Sequence, residues 1–151
     1  MHVVIVGAGA LGSIYAAFLS RAGHRVSLVA RGERARALTR HGVTVMGLDA
    51  FTAHPEIVVD PTTLRAADGL ILAVKTYHTP SAMMGLKGLR VESALSVQNG
   101  VIKNQRLQET FGADAVLGAV GMLGGEVLAA DGDRPGACLL YTSPSPRDLD
   151  L

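Results

Sequence analysis

The chain has 151 residues, 48% of them hydrophobic, with 18 glycines; the length sets one domain as the expectation and the composition suits a tight-turned α/β core. Fourteen Lys and Arg against 13 Asp and Glu leave a formal charge of +1, which gives no reason to expect nucleic acid or an anionic membrane as partner. No apolar run reaches the length of a membrane span, and one cysteine with five scattered histidines offers neither an internal disulfide nor metal-ligand spacing, so the expectation is a cytoplasmic enzyme domain without a metal.

Residues 3–6, VVIV, form an apolar β-branched run, the pattern of a strand buried on both faces. GAGALG follows at residues 7–12. In a strand–turn–helix unit Gly7 permits the tight turn, Gly9 lets backbone approach a pyrophosphate, and Gly12 lets the helix pack against the strand. Leu11, Ile14 and Phe18 then recur at helical spacing, widened by Tyr15 and Leu19, until Gly23 ends the helix. Residues 25–30 read as the second strand.

The second helix spans 33–40 and is closed by Gly42; the basic residues between 31 and 40 read as its polar face. Residues 43–46 and 56–59 are strand candidates around a polar turn at 48–49. Residues 61–67 suggest a brief helix, with Asp60 as cap and Pro61 at its first position. GLILAV, residues 69–74, is another buried strand. A helix capped by Thr79 runs through Ala82, Met83 and Leu86. Residues 94–98 make a fifth strand, 104–111 a helix stopped by Gly112, and 116–120 a sixth strand. One more strand is expected at 126–130, before a turn at 131–133. The alternation predicts an α/β, Rossmann-type doubly wound, mostly parallel sheet in the order 3-2-1-4-5-6.

Residues 138–148, CLLYTSPSPRD, break sharply from what precedes them. They resemble the translation of a transposase adapter from DNA sequencing libraries, one reading frame of which encodes all eleven residues. The expected division is a dinucleotide-binding domain over 1–137 and a non-native tail over 138–151, left out of the fold.

Ligands of such sheets bind beyond the carboxyl ends of the strands, where strand order switches. GAGALG, Lys75 and Gln98-Asn99-Gly100 all fall at that edge. The free N–H groups at Ala10 to Gly12 offer an anion site; the bland alternative is a glycine turn that binds nothing. At the end of the second strand Ala30 and Arg31 stand where an acid would select NAD. A guanidinium there suits a 2′-phosphate, with Arg34 one turn on in reach, and favours NADPH; the alternative is a pair of solvated charges. Lys75 faces either solvent or the cleft, and Asn99 is a ligand-facing residue or a turn former. Thr76 and His78 read as structural or solvated.

GAGALGSIYAAFLSRAGHRVSLVAR, the lysine in AVKTYHT, and QNG together resemble the 2-dehydropantoate 2-reductase, or ketopantoate reductase, family over about residues 2–132. The resemblance implies an NADP-dependent oxidoreductase that reduces 2-dehydropantoate to (R)-pantoate, toward pantothenate and coenzyme A. It implies that Gly7, Ala8, Gly9, Ala10, Leu11 and Gly12 hold the cofactor's pyrophosphate and that Arg31 meets its 2′-phosphate. Lys75 would lie along the cofactor, and Asn99 would touch cofactor and substrate. By a looser local match, the resemblance would also bring Gly124 to the nicotinamide end. The family's helical second domain, with a lysine acid and a substrate-orienting glutamate, is missing here. No catalytic residue is therefore assigned, and the chain alone is expected to be inactive. The alternatives are a related NADP-dependent 2-oxo acid reductase and a non-catalytic dinucleotide-sensing module.

Overall fold

A computed structural model describes residues 1–128 and the strand Cys138–Thr142. Six strands form the main sheet: β1 (His2–Val6), β2 (Arg25–Val29), β5 (Glu56–Val58), β6 (Ala66–Leu72), β7 (Arg90–Ser96) and β8 (Val116–Leu117). Their order is β5-β2-β1-β6-β7-β8 and every pairing is parallel, which is the expected 3-2-1-4-5-6 arrangement. Among the described residues four helices flank it: α1 (Ala10–Arg21), α2 (Gly32–His41), α3 (Thr79–Gly85) and α4 (Lys103–Phe111).

Strand alternation divides the core into two layers. Val3 and Ile5 of β1 point toward α1 and α2, where Ile14, Ala16, Ala17 and Leu38 are buried with them. Val4 and Val6 point toward α3 and α4, among Met83, Leu86 and Leu107. The face of α1 that is buried differs from the expected stripe. Gly12, Ser13, Ile14, Ala16 and Ala17 are buried, whereas Tyr15, Phe18 and Leu19 are only half-buried at the side. Small residues let the helix axis lie close to the sheet, and the bulky ones fill its flank.

Several element boundaries depart from the periodicity. Residues 61–67 do not form one helix. Pro61–Thr63 is a single 3₁₀ turn, capped as expected by Asp60, whose Oδ1 accepts from the Thr62 N–H at 3.0 Å and the Thr62 hydroxyl at 2.7 Å. Ala66 and Ala67 join β6 instead, because the strand pairs with β7 from Ala66↔Arg90 onward. The cooperative ladder outweighs the helix preference of alanine. β8 is two residues long rather than five; beyond it the Ala119 carbonyl accepts from Lys103 Nζ.

The two candidates around residue 48 separate. Glu56–Val58 is the third strand of the main sheet. β3 (Val43–Gly47) belongs to a second sheet, in the order β4-β3-β10-β9, with β4 (Phe51–Ala53), β9 (Leu123–Val127) and β10 (Cys138–Thr142). β9 begins three residues before the expected strand at 126, and the turn expected at 131–133 lies outside the described residues. β10 pairs parallel with β3 and antiparallel with β9, so residues 138–142, expected to stay out of the fold, take part in a sheet. Open backbone donors and acceptors on β3 and β9 accept any extended segment at that place.

Arg21 joins α1 to this second sheet. Its guanidinium carbon lies 3.8 Å from the Phe51 ring centroid and 4.7 Å from that of Phe18, and the rings meet edge-on at 5.0 Å. The same guanidinium pairs with Asp49 at 2.8 Å. Hydrogen bonds from Arg21 and then from the Ala50 N–H hold the Asp49 carboxyl below its ordinary pKa. A lowered carboxyl pKa stabilises the fold above the unfolded value of about 3.9, and the contribution is lost as pH falls through the folded value. Melting temperatures of the unmutated chain and Asp49→Asn should therefore differ by a constant, small amount above about pH 5 and converge as the folded carboxyl protonates at acid pH.

Candidate functional site

At the carboxyl end of β1 the chain turns through Gly7, which has φ +111° and donates its N–H to the Val29 carbonyl at 3.3 Å. A Cβ on Gly7 would lie 2.8 Å from the Val74 nitrogen, and one on Gly12 would lie 1.9 Å from the Gly7 carbonyl oxygen. Those two glycines are demanded by contact. Gly9 differs: nothing lies within 4 Å of a Cβ built there, and its φ of −73° strains no residue. Gly9 precedes α1, which has no side-chain cap and no acid in its first turn. The first N–H groups of α1 and the space above Gly9 form a cradle suited to an anion.

Two cavities meet at this loop. The larger, about 550 Å³, is bordered by Gly9, Ala10 and Leu11 on one side and by Lys75, Gln98 and Asn99 on the other. The smaller, about 290 Å³, is bordered by Ala8, Ala30, Arg31 and Arg34. Gly7 and Val74 line both. The pair of cavities straddles the point between β1 and β6 where strand order reverses. Of the residues expected at the site, Gly7, Gly9, Ala10, Leu11, Lys75 and Asn99 face the larger cavity, and Gly7, Ala8 and Arg31 the smaller. Gly12 lines neither; its role is to let α1 approach.

Lys75 lies three residues beyond β6, not directly after the strand, and opens the 3₁₀ turn Thr76–His78. Lys75, Asn99 and Arg31 are exposed. Arg31 precedes α2 in extended conformation. Arg34 is tied to the glycine loop: its Nε donates to the Ala8 carbonyl and its Nη2 to Ser13 Oγ, both at 3.1 Å. Ser13 Oγ donates to the same carbonyl at 3.3 Å.

Sequence reading assigned no role to the Gln98 side chain, which the fold buries between the two loops. Nothing but its place in QNG marked it. Gly125, not Gly124, borders the larger cavity. Among the described residues no group of three or more His, Cys, Asp or Glu could hold a metal ion. No described helix is long and apolar enough to cross a membrane.

The profile of the family "Ketopantoate reductase PanE/ApbA" matches residues 3–132. The chain belongs to this family. It is 31% identical over 115 residues to a 2-dehydropantoate 2-reductase of Pyrococcus horikoshii, covering 74% of this chain and 37% of that protein. A 2-dehydropantoate 2-reductase of Halobacterium salinarum is 35% identical over 124 residues, 78% of this chain and 40% of that protein. The chain thus spans about two fifths of the length of the curated relatives it matches. The ketopantoate reductase structure from Ralstonia eutropha JMP134 superposes with a TM-score of 0.72 at 30% identity, over 93% of this chain and 46% of that one. The fold is shared more widely: D-mandelate dehydrogenase, solved with NADH and anilino(oxo)acetate, gives a TM-score of 0.80 at 20% identity over 95% of this chain and 46% of that one.

The geometry separates the glycines experimentally. Gly12→Ala should lower unfolding free energy by about 1–3 kcal/mol, because its Cβ meets backbone. Gly9→Ala should leave urea unfolding nearly unchanged, because its Cβ enters open space.

Proposed function

We propose that this chain is the NADPH-binding half of a reductase that converts 2-dehydropantoate to (R)-pantoate. The observation that carries this reading is the two-part cavity at the strand-order switch. Arg31 borders one part, Lys75, Asn99 and the bare Gly9 cradle the other, and Gly7 lines both. Family membership and the names of the curated relatives support the reaction. The open space at Gly9 fits a pyrophosphate, whose charge the amino terminus of α1 stabilises.

In this reading the loop from Gly7 to Leu11 would hold the pyrophosphate, with Gly12 letting α1 approach it, and Arg31 would pair with the 2′-phosphate. An arginine in place of an acid at the end of β2 removes the acceptor that NAD ribose hydroxyls would use. Lys75 lies along the cofactor, and Asn99 donates or accepts hydrogen bonds to both cofactor and substrate. A nicotinamide cofactor held there would supply a hydride for the keto carbon. The oxygen left with negative charge needs a proton donor, and the family's lysine acid belongs to a second domain. In this reading the residues described here supply the cofactor side of the cleft.

Arg31→Ala should weaken NADPH binding by roughly 1.5–3 kcal/mol, the range of a charged hydrogen bond, and leave NADH nearly unchanged. Fluorescence titration of both cofactors reads this. Equal affinity of the unmutated chain for NADPH and NADH would overturn the assignment.

With 2-dehydropantoate and NADPH, the chain alone should show no turnover above background, and the full-length protein should restore it. General acid catalysis contributes a factor of roughly 10²–10⁴, and a half-open cleft does not hold two reactants at attack distance. Brisk NADPH oxidation by the chain alone would place the acid within residues 1–137, with Lys75 as the candidate.

A further inference from the structure

Gln98 is 8% exposed and sits between the two loops that border the larger cavity. Its Nε2 donates to the Val74 carbonyl at 2.7 Å and to the Thr79 hydroxyl at 2.8 Å. Its Oε1 accepts from Ser96 Oγ at 3.1 Å, and its own backbone N–H donates to that hydroxyl oxygen at 3.1 Å. The amide orientation follows from chemistry, since a carbonyl such as that of Val74 only accepts. Both amide hydrogens and the amide oxygen are used. Val74 immediately precedes Lys75, and Gln98 immediately precedes Asn99. One carboxamide therefore spans the loop after β6 and the loop after β7. Lys103 anchors the same point from α4, its Nζ donating to the Ser96 carbonyl at 3.1 Å.

We propose that Gln98 is a positioning residue. Its carboxamide sets the spacing between the Lys75 loop and the Asn99 loop, and through it the grip on the nicotinamide end of the cofactor. This rests on the cofactor reading above. A methionine of similar length leaves the Val74 carbonyl without its donor. A glutamate sets a carboxylate oxygen against that carbonyl, acceptor facing acceptor. Arg31 borders the other cavity, which shares Val74 with this one but is lined by neither Gln98 nor Asn99.

The test compares NADPH with 2′,5′-ADP, which carries only the adenosine and its phosphates, on the whole 151-residue chain. Gln98→Met and Gln98→Glu should weaken NADPH about tenfold, the scale of a lost buried hydrogen bond, and change 2′,5′-ADP affinity by less than about twofold. The emission change of NADPH at saturation should shrink as well. Thr79→Val removes one acceptor alone and should show the same split at about threefold; it serves where a Gln98 variant does not fold. Equal loss for both ligands would mean general loosening and would overturn the proposal, as would no loss for either. An unmutated chain that binds neither ligand would overturn the cofactor reading and this proposal with it. An unmutated chain that binds 2′,5′-ADP as tightly as NADPH would overturn this proposal alone.

Discussion

The close approach of two backbone segments at residues 7 and 12 is the constraint on which the rest of the site depends. A Cβ on Gly12 would overlap the Gly7 carbonyl, so α1 can begin where it does only with a hydrogen at that position. The small buried residues Ser13, Ala16 and Ala17 continue the same contact along the helix. The outcome is a helix amino terminus aimed into the gap between β1 and β6. That gap is where the right-handed crossovers of a parallel sheet diverge and leave a crevice. Burial at the base of the helix and the uncapped N–H groups of its first turn facing open space are two results of one packing event.

The cleft walls are held differently. The hydrophobic layers end with the strands, at Val6, Leu72 and Ser96. Beyond them the chain carries Lys75 and Asn99 on exposed loops that bury little apolar surface. Hydrogen bonds hold these loops instead: Gln98 to Val74 and Thr79, and Lys103 to Ser96 and Ala119. Arg34 does the same for the Ala8 carbonyl. Such bonds are directional, and an unmet buried partner is costly. They define loop positions more sharply than apolar contact would.

The two arginines at the start of α2 show how one composition serves two purposes. Arg31 stays at the exposed rim of the smaller cavity, while Arg34 folds back over the glycine loop. A charged run that reads as one polar helix face is in fact divided by direction. On the far side of α1, Arg21 lies over Phe51 and pairs with Asp49. The second sheet adds a polar contact to its packing on α1 there, and its strand order admits residues 138–142 between β3 and β9.

Much of this was legible in order along the chain. VVIV-GAGALG fixes strand, turn and helix because each glycine answers a local steric need, and local needs are written in neighbouring residues. The same holds for Gly42 and Gly112, which close α2 and α4 with φ +74° and +87°, and for Asp60 as a cap. The arginine at position 31 and the QNG run carried the resemblance to the family that the profile over residues 3–132 bears out. Three features were decided only by tertiary contact. Ala66 and Ala67 became strand because β7 offered partners. Glu56–Val58 and Val43–Gly47, alike in sequence pattern, went to different sheets. Gln98, which reads as a strand end, became the joint of the cleft through contacts 19 and 24 residues back along the chain. Sequence determines what a segment can do with its immediate neighbours, but ladder pairing and side-chain bonding depend on which distant partner arrives, and that is settled by the packing of the whole.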